Sequence, residues 1–260
     1  DYMLLANKKV AEYIAKKGKG KQKLTFVYRS HDSPKEDALL SFSQFASKFG
    51  YKIDMSSGRE TARSLNFLMA DVEGKKEQNV LTQLAIRSMA KAIYTTKKHS
   101  HYGLAFDYYT HFTSPIRRYP DVMVHRLLEL YLADGKSVNE DEYEKMSIHA
   151  SQMEKKAADA ERASVKYKQA EYLQNNIGEE FSGIISGLTE WGMYVEIIAN
   201  KCEGMIRLRD LNDDFYVLDE KNYCIVGQRR KKKYQLGDEV KILVKKVDLN
   251  KRQIDFTLVK

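Results

Sequence analysis

The sequence predicts an α+β chain in which a mainly helical part is followed by a small five-stranded barrel. Three observations carry that prediction. Apolar residues recur at helical spacing from the start to about Ile177, the period falls to two from Glu179 onward, and glycines break the second part into short segments. At 260 residues the chain suggests two domains, or one domain plus a small module. The boundary falls near Gly178, giving a helical domain over residues 1–178 and a barrel over residues 179–260.

Met3, Leu4, Val10, Ala11 and Ile14 share one face of a first helix. A Gly/Lys turn then leads into a short extended run, Leu24–Tyr28. Pro34 sits where a first helical position belongs, Leu39, Phe42, Phe45 and Phe49 stripe the helix that follows, and Gly50 is placed to stop it. A further helix spans about Arg59 to Ala70 and is broken by Gly74. Glu77 to Tyr94 carries Val80, Leu81, Leu84, Met89 and Ile93 on one face and predicts another helix. These stripes read as core packing and not as binding surfaces. Val122 to Leu132 predicts a helix with a buried face. Asn139 opens a long periodic segment to about Asn175, with a mostly small seam of Met146, Ala150, Met153, Ala157, Ala160, Ser164 and Tyr167. A helix of that length needs tertiary support along one side. Beyond Gly178, the runs Phe181–Ile185, Met193–Ile198, Gly204–Leu208, Glu239–Val247 and Gln253–Leu258 alternate or are β-branched. Five strands so close together suggest a closed barrel of the OB type.

Composition narrows the function. Lys+Arg 44 against Asp+Glu 36 leave a net charge of +8 and a pI near 9.1, which favours a polyanionic partner. From Glu179 to the end there are 15 Lys and Arg against 14 Asp and Glu, so most of the excess lies in the helical part. Three prolines and fourteen glycines argue against a disordered or collagen-like chain. Cys202 and Cys224 are too few for a disulfide scaffold or a four-ligand zinc site, and they fit a reducing cytoplasm. The N-terminal stretch lacks the basic flank and apolar run of a signal peptide. No apolar run approaches the ~20 residues of a membrane helix. The chain has no initiator methionine and begins inside a helical pattern, so we expect a piece of a longer protein.

The densest chemical constellation runs from His111 to Asp121 and on to His125 and Arg126. Ser114 followed by Pro115 reads as a helix N-cap with a first-position proline, which would leave backbone donors open to an anion. Arg117 and Arg118, with the hydroxyls of Thr113 and Ser114, would complete a phosphate cradle, because a guanidinium can hold two phosphate oxygens at once. The competing reading is a helix start with surface arginines paired to carboxylates. Upstream, His99 and His101 could ligate a metal, but no carboxylate sits at suitable spacing and a solvated loop is the preferred reading. Tyr109 either stacks on a base or packs.

The stretch HYGLAFDYYTHFTSPIRRYPDVMVHRLLELYL resembles the C-terminal signature of the RNB family of exoribonucleases, the ribonuclease R and ribonuclease II group. The opening MLLANKKVAEYIA, the FVYRSHDSP turn and the approach QLAIRSMAKAIYTTKKHSHYGLA resemble the ribonuclease R branch in the same order, from Tyr2 to about Asn176. The second part is similar to the S1-type OB fold, an RNA-binding module that follows the nuclease domain in that family. The S1 positions that would stack bases or meet phosphates are Phe181, Trp191, Tyr194, Arg207 and Arg252, with Asp248 beside them. Trp191 and Tyr194 are expected on one face, and Phe181 reads equally as barrel core. The run Arg229–Lys233 is expected in a loop, either solvated or widening the RNA footprint.

The resemblance implies 3′→5′ hydrolysis of single-stranded RNA, processively, to nucleoside 5′-monophosphates. It implies magnesium held by clustered aspartates that lie ahead of this chain, so no metal ligand is expected here and no small-molecule cofactor or membrane contact is implied. Asp141, Asp210, Asp213 and Asp214 read as surface or capping carboxylates. Arg117 matches the arginine that the family places on the scissile phosphate, with Thr113, Ser114 and Arg118 in support. Glu161 falls where part of the family has a carboxylate that clamps the terminal nucleotide, with Arg162 as a lesser candidate. The alternative is a non-catalytic single-stranded RNA-binding module; protein partners stay open. A phosphate-binding metabolic enzyme would explain the cradle but not the barrel.

Overall fold

The structure, a computed structural model, describes residues 1–18, 23–75, 77–220 and 222–259. Part of the Gly/Lys turn expected ahead of Leu24 lies outside them. The chain forms two compact units, one of Asp1–Asp71 with Leu84–Ala157 and the other of Val72–Gln83 with Ala158–Lys260.

The helical part runs α1 (Tyr2–Lys17), β1 (Tyr28–Ser30), α2 (Glu36–Ser47), α3 (Gly58–Asp71), α4 (Gln78–Ser88), β2 (Ile93–Thr95), α5 (Tyr119–Leu132) and α6 (Glu140–Gln174). In the first unit, Ala11 and Ile14 of α1 meet Phe26, Val27, Tyr28, Tyr94 and the Met123, Val124, Leu127 and Tyr131 face of α5 in one core. Met146 and Ala150 of α6 pack against it. β1 and β2 pair antiparallel, Tyr28 opposite Thr95 and Ser30 opposite Ile93.

Several boundaries differ from the sequence expectation. The segment from Glu77 to Tyr94 is not one helix. α4 stops at Ser88, whose hydroxyl donates to the Ala85 carbonyl (2.7 Å), and the β-branched Ile93 and Thr95 flank Tyr94 in a strand. Short apolar runs suit either period, and pairing with β1 decides this one. The run Leu24–Tyr28 enters the ladder only at its last residue, and Pro34 lies ahead of the Lys35 cap of α2 instead of inside the helix.

Asn139 does open α6, its side-chain oxygen accepting the N–H groups of Asp141 (3.0 Å) and Glu142 (3.2 Å). Glu144 anchors the first unit's share of this helix to β2. It accepts the hydroxyl of Thr95 (3.0 Å) and the hydroxyl (2.8 Å) and N–H (2.6 Å) of Thr96. Burial pushes the Glu144 carboxyl up, but those donors outweigh it and hold its pKa below the ordinary value. The expected small seam is sheltered only at Met146 and Ala150, while Met153, Ala157, Ala160, Ser164 and Tyr167 are exposed. Support returns in the second unit, where Ala170 and Leu173 are fully buried.

The second unit contains β3 (Glu180–Thr189), β4 (Gly192–Ile197), β5 (Glu203–Arg207), β6 (Tyr216–Asp219), β7 (Cys224–Gly227), β8 (Lys233–Gln235), β9 (Glu239–Asp248) and β10 (Gln253–Leu258). Gly178, at φ +90°, turns the chain from α6 into β3 and donates its N–H to the Val244 carbonyl (2.9 Å). Five strands close a barrel in the order β10-β5-β4-β3-β9, around Ile185, Met193, Val195, Ile197, Ile206, Ile242, Val244 and Phe256. These match the five predicted strands. The antiparallel sheet β6-β7-β8, inserted between β5 and β9, was not foreseen. Its strands span three or four residues each, too short for alternation to register.

Candidate nucleic-acid interface

The constellation around Arg117 is built differently from a capped helix start. Residues 114–117 close a single turn, with the N–H groups of Arg117 (3.3 Å) and Arg118 (3.1 Å) both reaching the Ser114 carbonyl. α5 begins only at Tyr119, with Pro120 in its first turn and Arg118 at the cap position. Ser114 is therefore not the N-cap, and Pro115 is not the first helical residue. Asp121 is the reason. Its carboxylate, with no exposed side-chain surface, accepts the Ser114 N–H (2.8 Å) and both Nε and Nη2 of Arg118 (2.8 Å each).

Two adjacent arginines thereby take different positions. Arg118 is 20% exposed and bound in a bidentate pair. Arg117 is exposed, and among the described residues its guanidinium has no hydrogen-bond or ion-pair partner. The backbone donors expected for an anion are already committed: Ser114 N–H to Asp121, and the N–H groups of Phe112 (2.9 Å) and Thr113 (3.2 Å) to Asn7 Oδ1. An anion arriving here is left with the Arg117 fork and the hydroxyls of the half-buried Thr113 and Ser114.

Asn7 escaped the sequence reading, although it is a buried polar residue on the packed side of α1. Its Nδ2 donates to the Tyr109 hydroxyl (3.1 Å), so one amide fixes both the loop and the ring. Tyr109 is 5% exposed and packed against His101, Phe106 and His111, which leaves no ring face for a base. Of the two readings of Tyr109, the structure shows packing. Burial, with Arg118 and Arg29 adding to it, brings the His111 pKa down to about 3, and burial brings the Tyr94 pKa up to about 12. Tyr94 thus stays protonated, its hydroxyl sharing a hydrogen bond with Nδ1 of a neutral His111 (2.8 Å). On the far side, His125 stacks on Phe112 (4.1 Å between ring centroids) and donates to its carbonyl (2.8 Å). His99 stacks on Tyr108, with Nδ1 donating to the Asp107 carbonyl (2.6 Å).

The barrel gathers its candidates into adjoining clefts, all inside the second unit. A cleft of about 470 Å³ is lined by Tyr194, Lys251 and Arg252, with Arg162 and Lys166 of α6. A smaller one of about 200 Å³ is lined by Arg207, Lys246, Asp248 and Lys251. A third of about 730 Å³ is lined by Trp191, Arg207, Arg209 and Phe215. Shared residues, Lys251 between the first two and Arg207 between the last two, make them one groove with aromatic and cationic walls. Arg207 is held by Asp255 (2.8 Å). Asp248 caps the β9–β10 turn by accepting the Lys251 N–H (3.0 Å), and Arg252 stands exposed in that turn.

The expected shared face of Trp191 and Tyr194 needs correction, and the open reading of Phe181 narrows. Trp191, 76% exposed, lies in the β3–β4 turn, so strand alternation does not pair its face with that of Tyr194. Tyr194 points outward between buried Met193 and Val195, its ring beside Gly187. Phe181 has the parity of buried Gly183 and Ile185 and is half-buried at the start of β3, which favours the core reading. Glu161 is exposed on α6, and Arg162 beside it pairs with Asp159 (3.0 Å).

The acidic residues do not fit a magnesium site. Asp210 is paired with Lys245 (2.8 Å), Asp213 accepts the Tyr216 hydroxyl (3.1 Å) and Asp214 accepts backbone N–H groups. Among the described residues no three His, Cys, Asp or Glu side chains are grouped to hold a metal ion. No helix among them is long and apolar enough to cross a membrane.

An RNB domain model matches residues 1–134, and an S1 RNA binding domain model matches residues 174–258. Ribonuclease R 1 of Lactococcus lactis is 37% identical over 261 residues, covering 98% of this chain and 31% of the relative. Ribonuclease R of Aquifex aeolicus is 36% identical over 262 residues, covering 99% and 36%. The chain thus spans roughly a third of the length of these relatives. Among solved structures, Mycoplasma genitalium RNase R in complex with ribose methylated single-stranded RNA aligns with a TM-score of 0.86 at 27% identity, covering 99% of this chain and 40% of that one. The yeast pseudonuclease Ssd1 shares the fold, with a TM-score of 0.69 at 21% identity over 86% of this chain and 28% of that one. With the RNB model matching residues 1–134 of its 260, the chain belongs to the RNB family, and its sequence continues into an S1-type barrel.

Proposed function

We propose that this chain is part of a 3′→5′ exoribonuclease that hydrolyses single-stranded RNA processively to nucleoside 5′-monophosphates. The observation that carries the reading is Arg117, exposed and unpaired beside an Arg118 that is fully engaged, within a stretch matched by the RNB model. In this reading the Arg117 fork binds two oxygens of the scissile phosphate and offsets the negative charge that grows there as the nucleophile adds. Thr113 and Ser114 offer hydroxyl donors to the same phosphate. Arg118 acts through Asp121, positioning the turn. Glu161 is kept as a candidate contact to a nucleotide.

The barrel groove would bind single-stranded RNA, with Trp191 and Tyr194 stacking bases and Arg207, Arg252 and Lys251 meeting phosphates. The domain boundary is set at Gly178. Magnesium, if the enzyme uses it, is held by residues other than those described, and a cytoplasmic setting suits the two buried cysteines. No step is assigned to the metal here.

Two measurements test the proposal. The 260-residue chain should bind single-stranded RNA with an affinity that falls steeply with salt, and should not hydrolyse it. Magnesium-dependent release of mononucleotides by this chain alone would sink that division. In the full-length enzyme, Arg117→Ala should remove most of the turnover, on the order of a hundredfold or more, while RNA binding stays within a few fold. Unchanged turnover would refute the phosphate role. The second reading, a non-catalytic RNA-binding module, is compatible with a fold shared with a pseudonuclease. It predicts that the full-length protein binds RNA and never cleaves it.

A further inference from the structure

We propose that the inserted sheet β6-β7-β8 carries a second contact to single-stranded RNA, in which the Phe215 ring stacks on a base and the Arg229–Lys233 turn holds the phosphates beyond the barrel groove. The proposal rests on the RNA-binding reading of that groove and extends it to residues outside the barrel itself.

The charge comes first. Arg229, Arg230, Lys231, Lys232 and Lys233 are all exposed, and none makes an ion pair among the described residues. Some cations on the barrel are paired instead, Arg207 with Asp255, Lys245 with Asp210 and Lys201 with Glu196, so an unbroken run of five without an ion pair stands out. The one contact made by the five is that of Lys232 with the Tyr234 ring, 4.9 Å to its centroid. Of the 15 cations from Glu179 onward, five therefore stand consecutively with their backbone tied to one carboxylate, Asp214, and with no side-chain ion pair among the described residues, in a domain of net +1. Such a run repels itself and contributes nothing to folding, whereas a phosphate chain would relieve it.

The turn is also rigid. Asp214 accepts the backbone N–H groups of Arg229 (3.0 Å), Arg230 (2.6 Å) and Phe215 (2.7 Å). The Gly227 N–H donates to the Lys232 carbonyl (2.9 Å). A Cβ at Gly227 would lie 2.5 Å from Asp214 Oδ2, so glycine is what lets this carboxylate approach. The backbone donors are spent on Asp214, and the five side chains are left for solvent or a partner.

Phe215 supplies the second, independent observation. It is 67% exposed, and its carbonyl accepts the Gln228 N–H (2.9 Å), which ties its backbone to the residue just ahead of the basic turn. It lines the same 730 Å³ cleft as Trp191, Arg207 and Arg209, so the aromatic and cationic lining continues from the barrel onto the insertion. An acidic protein surface could use the cations, but the aromatic and cationic lining that runs on from the barrel favours a strand of stacked bases and phosphates. Single-stranded RNA uses both, stacking on the ring and neutralising its phosphates on the cations.

The experiment uses the 260-residue chain and two fluorescent single-stranded RNAs, of roughly 5 and roughly 15 nucleotides, the range that one OB fold spans. Replacing Arg229–Lys233 with glutamines should make the dependence of log K on log salt shallower by about 2 for the longer RNA, the loss of about three phosphate contacts. Affinity for the shorter RNA should not change. Phe215→Ala should weaken the longer RNA by about tenfold with the salt slope intact. Arg229→Lys with Arg230→Lys should keep the slope, and unchanged melting temperatures exclude a folding defect. Unaltered slope and affinity in the glutamine variant would overturn the contact, leave the groove reading standing and turn attention to an acidic protein partner. Failure of the unaltered chain to bind either RNA would overturn both readings.

Discussion

Removing the Asp121 carboxylate tests whether the turn bearing Arg117 is held from beneath. In Asp121→Ala, three acceptor contacts of 2.8 Å vanish, and an Arg118 guanidinium that is only 20% exposed loses its counter-charge. Removing one partner of such a buried pair costs about 3–5 kcal/mol, because the other charge stays behind without compensation. For a unit of this size each kcal/mol moves the midpoint by about 2–4 °C, so Tm should fall by roughly 6–20 °C. Asp121→Asn keeps an acceptor for the Ser114 N–H and should lose about half as much. Replacing Arg118 and Asp121 together by leucine removes the stranded charge, so the double variant should be more stable than Asp121→Ala. Thermal melts of the three variants in the 260-residue chain measure this directly. A Tm change below about 2 °C for Asp121→Ala, or a double variant no more stable than Asp121→Ala, would refute the anchoring argument.

Two further predictions follow from the same unit. The pKa of His101, lowered to about 4 by burial and the neighbouring His31 and Arg29, and that of His111, lowered to about 3, both lie below the unfolded value near 6.5. Between those values the unfolded chain binds protons that the native chain refuses, so stability is complete above about pH 6.5 and falls as the pH drops. At pH 5 the loss is at most about 2 kcal/mol per histidine before solvent screening reduces it, and melts of the parent against His101→Gln across pH 4.5–7.5 should show a flatter curve for the variant. An identical curve would mean that His101 is not held neutral by the fold. Asn7→Ala strips the acceptor from two loop N–H groups and the donor from the Tyr109 hydroxyl, and should cost about 2–3 kcal/mol, whereas Asn7→Asp should restore part of it through its oxygens. Asn7→Ala melting within about 1 °C of the parent, roughly 0.3 kcal/mol, would remove Asn7 from the loop's support.

What could be read from the sequence is what rests on repetition. Ala11 and Ile14, or Met193 and Val195, announce their faces because a helix or strand repeats the same environment several times. The faces of α4 and β2 merged into one apparent helix because Leu84 and Ile93 are both apolar and only pairing with β1 separates them. Single polar contacts made across long separations left no pattern. Asn7 acts on residues more than a hundred positions away. Local propensity does not distinguish Arg117 from Arg118 either; only the family resemblance singled out Arg117, and the physical difference lies in a hydrogen-bonded turn that swings one toward Asp121 and the other into solvent. Ser114–Pro115 misled for a related reason: a serine and a proline suit a single turn as well as a helix start, and the competing N–H acceptor from Asp121 chose the turn.

The distribution of charge bears on how far composition can be trusted. A barrel of net +1 is ill-suited to a polyanion if that charge is spread evenly over its surface, and the sequence accordingly assigns the basic excess to the helical part. Pairing changes the sum that a ligand experiences. Asp255, Asp210 and Glu196 each pair with a nearby cation, and Asp214 offsets part of the charge of the basic turn whose backbone it holds. Carboxylates engaged at 2.6–3.1 Å project little field, whereas the five side chains of Arg229–Lys233 have no such partner. The potential near that turn is therefore set by the unpaired cations and not by the domain total, and it decays over about 10 Å at 0.1 M salt. That distance is short enough to make RNA affinity depend on where along the barrel a phosphate lies. A domain of nearly zero net charge can in this way present a strongly basic edge, and the salt slope of its RNA binding reports the edge and not the composition.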